Sequence, residues 1–455
     1  MNSSPLRTCR GLMNCAGKPF VCYAVKQVVV FFAVFIITAN AAEGQDSASV
    51  DYSFDASGFE KKPFEYSASI EAWPTLLLLN HQSPLYHLKY PADDSYADLY
   101  NSKIEGLGRY QYRQLLANVS GSFNIDYPRY EDTIGTGFTL YEGYLKYIPS
   151  TAFSITSGKR TFRWGKGYVY NPVAFAGRQK DLNNIDATLE GYWNLSIDYT
   201  KSFTGPLSSL AASVTLLPVY KEINASYLPD RSVSTISQIY FLLLNTDIDL
   251  TFYFDDSHNF KTGTDFSRNI FPNWEVHSEW AYESNHDRIF FNNDSSTVME
   301  SKPANNFIAG TRYQTPFDAA LILEYLYQGS GHTQKQMESM YHALEYANSG
   351  ASTQTRYRIL QVYNEEYSLQ FNARNYAYCK LTYPDPFAQV YWTPSIYALV
   401  NGEDGSTTAG LELTYSRFKH LFFTGRTISF LGPTESEYGI RPVNIRFELR
   451  AKAMF

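Results

Sequence analysis

Residues 443–455 alternate almost without a break. Val443, Ile445, Phe447, Leu449, Ala451, Ala453 and Phe455 share one parity, and Asn444, Arg446, Glu448, Arg450 and Lys452 share the other. Successive side chains of a β-strand point to opposite faces. One face of this strand is therefore apolar and the other is charged. The pattern recurs upstream. Leu115, Ala117, Val119, Gly121, Phe123, Ile125 and Tyr127 face Leu116, Asn118, Ser120, Ser122, Asn124 and Asp126. Leu195 and Ile197 alternate with Asn194 and Ser196, Leu250 and Phe252 with Asp249 and Thr251, and Trp274, Val276 and Trp280 with Glu275, His277 and Glu279.

Composition narrows what such strands can build. Aromatic residues make up 16 % of the chain and charged residues 18 %, against roughly 25 % charged in an average soluble protein. Mean hydropathy is still −0.31, so the remainder is polar. The mixture fits a large sheet with one greasy face and one wet face. It argues against disorder, which needs few aromatics. After the leader no apolar run reaches 18 residues, which excludes a bundle of membrane helices.

Residues 1–41 read as an export signal. Arg7, Arg10, Lys18 and Lys26 form a basic stretch with no acid, Val28–Ile37 is an unbroken apolar run of ten, and Ala39-Asn40-Ala41 offers a cleavage site. Translation starts at Met1 or Met13. Removing four of 38 basic residues leaves 34 against 45 acidic, a net charge of −11, which disfavours nucleic acid as a partner. Cys9, Cys15 and Cys22 leave with the signal. Cys379 alone can form no internal disulfide or cysteine metal site, and the chain has no Cys-x-x-Cys-His for a c-type haem.

The amphipathic closing strand ending in Phe455, with Phe447 and Leu449 on its apolar face, resembles the C-terminal signature of bacterial outer-membrane β-barrels. The resemblance implies an all-β, antiparallel, up-and-down transmembrane barrel in the outer membrane of a Gram-negative bacterium. It implies lipid and lipopolysaccharide as surroundings, and assembly machinery that reads the last strand. In a bilayer an open sheet edge is untenable, so the sheet must close. The expected layout is a signal at 1–41, a periplasmic lead-in at 42–62 and a barrel over 63–455, with 16–18 strands beginning near Phe64 or Tyr66.

Turn chemistry orients the strands. Pro-containing turns occur at 148–150, 205–206, 315–318 and 384–386, and longer polar stretches at 159–186, 218–235, 284–304 and 328–365. Parity places the four Pro turns at the same end as the C-terminus and the long stretches at the other, the outer-membrane pattern of short turns and long loops.

The richest segment is KRTFRWGKGYVYNPVAFAGRQKDLNN, residues 159–184. Lys159, Arg160, Arg163, Lys166, Arg178 and Lys180 stand against one acid, with Gly165 and Gly167 around Trp164. Folded inward, the segment makes a basic constriction that favours anions; left outside, it is a solvated surface loop. A second cluster, Glu275, His277, Glu279 and Glu283, points into the lumen with Glu190. Its first three members have the donor types of a divalent-metal site, but strand spacing is wide for one ion, and an acidic wall facing basic residues is the simpler reading. Glu142, Lys146, Arg312 and Glu324 also fall on polar faces. Met337, Met340, Tyr341 and Leu344 form a helical stripe within 333–347.

No catalytic motif or cofactor fingerprint is present. The expected function is a porin-like channel for small hydrophilic solutes, anions among them, narrowed by residues 159–186. Two alternatives follow from weaker similarity to other barrels: a sheath around a multihaem cytochrome conduit, and a polysaccharide exporter of the alginate-export type.

Overall fold

The computed structural model describes residues 63–90, 94–129, 131–182, 184, 187–225, 232–256 and 259–455. The expected export signal at 1–41 and the expected lead-in at 42–62 lie outside the described residues. Eighteen strands follow one another: β1 Phe64–Leu79, β2 Tyr96–Tyr112, β3 Leu115–Pro128, β4 Gly135–Tyr147, β5 Phe153–Arg160, β6 Tyr192–Ser202, β7 Leu207–Val219, β8 Ser232–Leu243, β9 Thr246–Asp255, β10 Phe260–Phe271, β11 Trp274–Phe291, β12 Thr297–Gln314, β13 Ala320–Gln328, β14 Asn375–Thr382, β15 Trp392–Asn401, β16 Thr407–Phe418, β17 Leu421–Leu431 and β18 Val443–Met454. Each pairs antiparallel with its neighbour in sequence, and β1 pairs with β18 in the register Ala72↔Ala451 and Leu76↔Phe447. That last pairing closes the sheet, so no edge is left with unpaired N–H and C=O groups.

The two parities separate as the alternation requires. On β18, Leu449 is 69 % exposed and Glu448 is 3 % exposed. On β3, Val119 and Phe123 are exposed outside, while Asn118, Ser120 and Ser122 are buried inside. Trp193, Leu195 and Ile197 of β6, and Phe138, Leu145 and Leu411 elsewhere, complete an apolar outer band. A soluble monomer does not present apolar surface of this extent; a hydrocarbon phase accommodates it. Among the described residues no helix is long and apolar enough to cross a membrane.

The turns that lead from each even-numbered strand to the next gather at one end. The four Pro turns are there, with a two-residue turn at Leu244-Asn245, both with positive φ (52° and 58°), the mirror-image turn that suits the twist of a hairpin. Aromatic rings ring this end. Phe271 stacks on Trp274 at 6.0 Å, Phe317 meets Tyr383 at 5.5 Å, and Trp392 meets Tyr415 at 4.6 Å, as in an interfacial girdle.

The long loops leave from the other end, with two differences from the sequence pattern. Residues 284–304 are mostly strand: β11 and β12 run on past the barrel wall and turn at 292–296, because Phe290 and Phe291 pack against the cap described below. The inward loop runs over 161–191, since β6 starts only at Tyr192. Glu190 therefore sits at the end of that loop and not on a strand. After β1 comes a short helix, α1 (Pro84–Lys89), and the loop after β13 carries α2 (Gln334–Ser349) and α3 (Thr353–Val362). Thr333 and Gln336 form a reciprocal capping box at the start of α2. Its buried stripe of Met337, Met340, Tyr341 and Leu344 packs with Leu85, Phe291, Ile359, Tyr367 and Ile440. The helices form a cap on the long-loop end.

Candidate functional site

Five neighbouring strands build an acidic wall inside the barrel. Asp249 of β9, Asp265 of β10 and Glu279 of β11 stand side by side in register, and Glu324 of β13 lies opposite Gly310 of β12, which lies opposite His277. All five of these acidic and histidine residues are at most 4 % exposed. Charges so deeply buried require partners. The inward loop supplies them.

Glu279 accepts hydrogen bonds from the backbone N–H of Lys166 (2.5 Å), Gly167 (2.6 Å) and Val173 (3.4 Å), and from Asn171 Nδ2 (2.8 Å). Glu324 accepts from the N–H of Tyr168 (2.5 Å) and Val169 (3.1 Å), and contacts His277 Nε2 at 3.0 Å. Lys166 Nζ sits 2.8 Å from Asp249 and 3.6 Å from Asp265. Tyr168 donates to Glu275 at 3.1 Å. A run of successive amides fastened this way makes an anion nest of the loop backbone and an anchor of each carboxylate.

Glycine makes the fit possible. Gly165 has φ +92°, and a Cβ there would meet the Glu279 carboxylate at 2.7 Å. A Cβ on Gly167 would meet Tyr170 O at 2.1 Å. On the wall, a Cβ at Gly310 would meet His277 Nε2 at 2.3 Å, and one at Gly263 would meet Val173 at 2.8 Å. Beyond the anchors the loop carries its own apolar contacts. Val169 and Val173 are fully buried; Val169 and Leu182 join Ile308, Leu326, Phe371 and Tyr438, and Phe162 and Ala176 join Leu217, Ile236 and Tyr253. Leu182 N–H also donates to Gln370 Oε1 at 2.7 Å, tying the loop to the segment between the helical cap and β14.

The basic residues of 159–184 are largely committed. Lys159 lies 2.5 Å and Arg178 3.3 Å from Glu190. Arg160 lies 3.4 Å from Asp198. Lys180 donates to Gly167 O at 2.7 Å. Trp164 packs on Phe162 with ring centroids 5.0 Å apart. Arg163 is exposed and, among the described residues, enters no ion pair. Glu283 pairs with Lys261 (2.5 Å) and His286 (3.1 Å). Glu142 accepts from Thr161 N–H at 3.0 Å, where the loop leaves β5. Arg312 stands opposite Glu275 in register. Among the described residues no group of three or more His, Cys, Asp or Glu side chains is arranged to hold a metal ion.

The opposite wall carries a charge ladder. Glu412 pairs with Arg426, Arg426 lies 3.5 Å from Glu448, Arg446 and Arg450 each lie 2.7 Å from Glu448, Arg450 lies 2.7 Å from Glu71, and Lys103 joins Glu71 (3.7 Å) to Glu105 (2.9 Å). Glu105 then accepts from Thr188 of the inward loop at 2.9 Å. The charged face of the last strand points to part of this ladder. Glu71, Lys103 and Arg426 escape a strand-by-strand reading, because ladder partners are set by pairing across strands. Asp265 escapes it too, since β10 alternates weakly in sequence.

No protein-family model and no curated sequence matches this chain. Among solved structures it is similar to OccK5 (OpdH) of Pseudomonas aeruginosa, at 9 % identity and TM-score 0.49 over 86 % of this chain and 98 % of that one. It is similar to OccAB3 of Acinetobacter baumannii, at 9 % identity and TM-score 0.48 over 86 % and 99 %, and to OprB of Pseudomonas putida, at 9 % identity and TM-score 0.47 over 86 % and 94 %. On its own strand pairing the chain is a closed 18-stranded antiparallel up-and-down barrel, similar to bacterial outer-membrane porins.

Proposed function

We propose that this chain is a bacterial outer-membrane channel for small hydrophilic solutes, narrowed by residues 161–191. The observation that carries the reading is the fastening of successive loop amides to Glu279 and Glu324 inside a closed barrel. The apolar outer band and the export signal at 1–41 support the location.

The same geometry tempers anion preference. Lys159, Arg160, Lys166 and Arg178 each face a carboxylate, and the ladder opposite balances its own charges. Rings of uncompensated charge select ions; paired charges do so weakly. Among the basic residues of 159–184, the anion lean falls mainly to Arg163. Planar-bilayer recording under a salt gradient tests this. Stable open steps support the channel, and Arg163→Ala should move the reversal potential toward cations more than Lys166→Ala does. A folded, heat-modifiable barrel that passes no current, with or without Glu279→Ala, would overturn the reading.

A further inference from the structure

A cavity of about 380 Å³ lies under the inward loop, beside the turn joining β4 to β5 at the short-turn end. The size falls in the roughly 300–1,000 Å³ range of small-molecule sites. Phe162 and Trp164 of the loop line it with their tilted rings. The strands contribute Asp198, which accepts from Ser154 at 3.2 Å and pairs with Arg160 at 3.4 Å, and Gln238, held by its bond to Asp249 at 3.0 Å. Lys146 lines the same cavity and, among the described residues, enters no ion pair. The charged lining is Lys146, Arg160 and Asp198, which leaves one net positive charge.

We propose that this cavity is a solute-binding subsite for a small hydroxylated monoanion with a flat apolar face, of the size of a hexose ring. The inference deepens the channel reading and rests on it for the route by which solute arrives. The ring lies against Trp164, hydroxyls exchange hydrogen bonds with Asp198 and Gln238, and the anion pairs with Lys146. Arg160 is already engaged by Asp198 and by the Phe162 ring, 5.2 Å from its guanidinium carbon. Lys146 is therefore the group that reads charge.

The test is titration calorimetry on the purified full chain in detergent with glucuronate, glucose and glucosamine, which share a ring and differ in charge. Glucuronate should bind about fivefold more tightly than glucose, the effect of one partly exposed ion pair, and glucosamine more weakly than either. Lys146→Gln should bring glucuronate down to the level of glucose and leave glucose unchanged. Trp164→Ala should weaken glucuronate and glucose alike. Equal binding of all three, no binding of any, or a charge preference that survives Lys146→Gln overturns the subsite. Heat-modifiable mobility of each variant reports that the barrel is folded. Charge-selective binding by a barrel that carries no current supports the subsite and fails the channel; current without binding does the reverse.

Discussion

Glu279 and Glu324 owe their place inside the barrel to hydrogen-bond donors from another segment of chain. A buried carboxylate without donors is costly, and losing a charged acceptor leaves amides unsatisfied at about 1–3 kcal/mol each. Glu324→Ala removes the acceptor of Tyr168, Val169 and His277 together. The loop should loosen, and single-channel conductance should rise and flicker; an unchanged trace would show that the apolar contacts hold the loop alone. Glu437 makes the same point in the loop 432–442, between β17 and β18. It accepts from Asn372 N–H (3.1 Å), Tyr376 Oη (2.7 Å) and Asn401 Nδ2 (2.8 Å), and burial pushes its carboxyl up to about 7. A raised carboxyl pKa means that the folded state holds the proton more tightly than the unfolded chain. Its stabilising contribution is full below the ordinary value near 4.5 and is lost as pH rises through about 7. Amide exchange at Asn372 should therefore be slower at pH 5 than at pH 8, after correction for intrinsic rates, and Glu437→Gln should flatten the difference.

At the scale of elements, α2 is the clearest case. Its stripe is spaced i, i+3, i+4, i+7, and its capping residues stand where a helix needs them. What it packs against came from far along the chain: Leu85, Phe291 and Ile440. Met340 is 1 % exposed at the centre of that cluster. Met340→Ala should cost the cap about 2–5 kcal/mol, and Thr333→Ala about 1 kcal/mol. Limited proteolysis within 329–374 should accelerate in that order while the barrel band on unheated gels stays in place. Loss of the barrel band itself would mean that cap and barrel form one cooperative unit. The inward loop is a different kind of element. Apart from short turns its described residues lack regular structure of their own, and they are held by the wall they lie on. Residues 284–304 show the converse, where polar residues that read as loop continue a hairpin because a partner strand and the cap receive them.

At the scale of the whole molecule, closure of β1 on β18 joins the charge ladder into one belt. Arg450 bridges the seam, 2.7 Å from both Glu71 and Glu448, each 3 % exposed. Removing one member of a buried network leaves the others uncompensated, at about 3–5 kcal/mol. Arg450→Ala should therefore lower the temperature at which the folded band is lost on heating, and by more than Arg163→Ala, whose side chain enters no ion pair among the described residues. Equal temperatures would show that the belt adds nothing to closure. A strand number of 16–18, the parity of faces, the end at which the Pro turns gather and the helical stripe were legible in the sequence, while the count of 18 came from the pairing. They follow from the period of two along a strand, the period of 3.6 along a helix and the fixed φ of proline, which are local. Whether the basic residues of 159–186 line a pore or meet partners was decided elsewhere. Asp249, Asp265, Glu279 and Glu324 lie up to 165 residues away in number and meet the loop only because five strands pair in one register and the sheet closes around them. Charge in a sequence is a property of residues, but the field that a solute meets depends on distances between them, and only the closed barrel sets those.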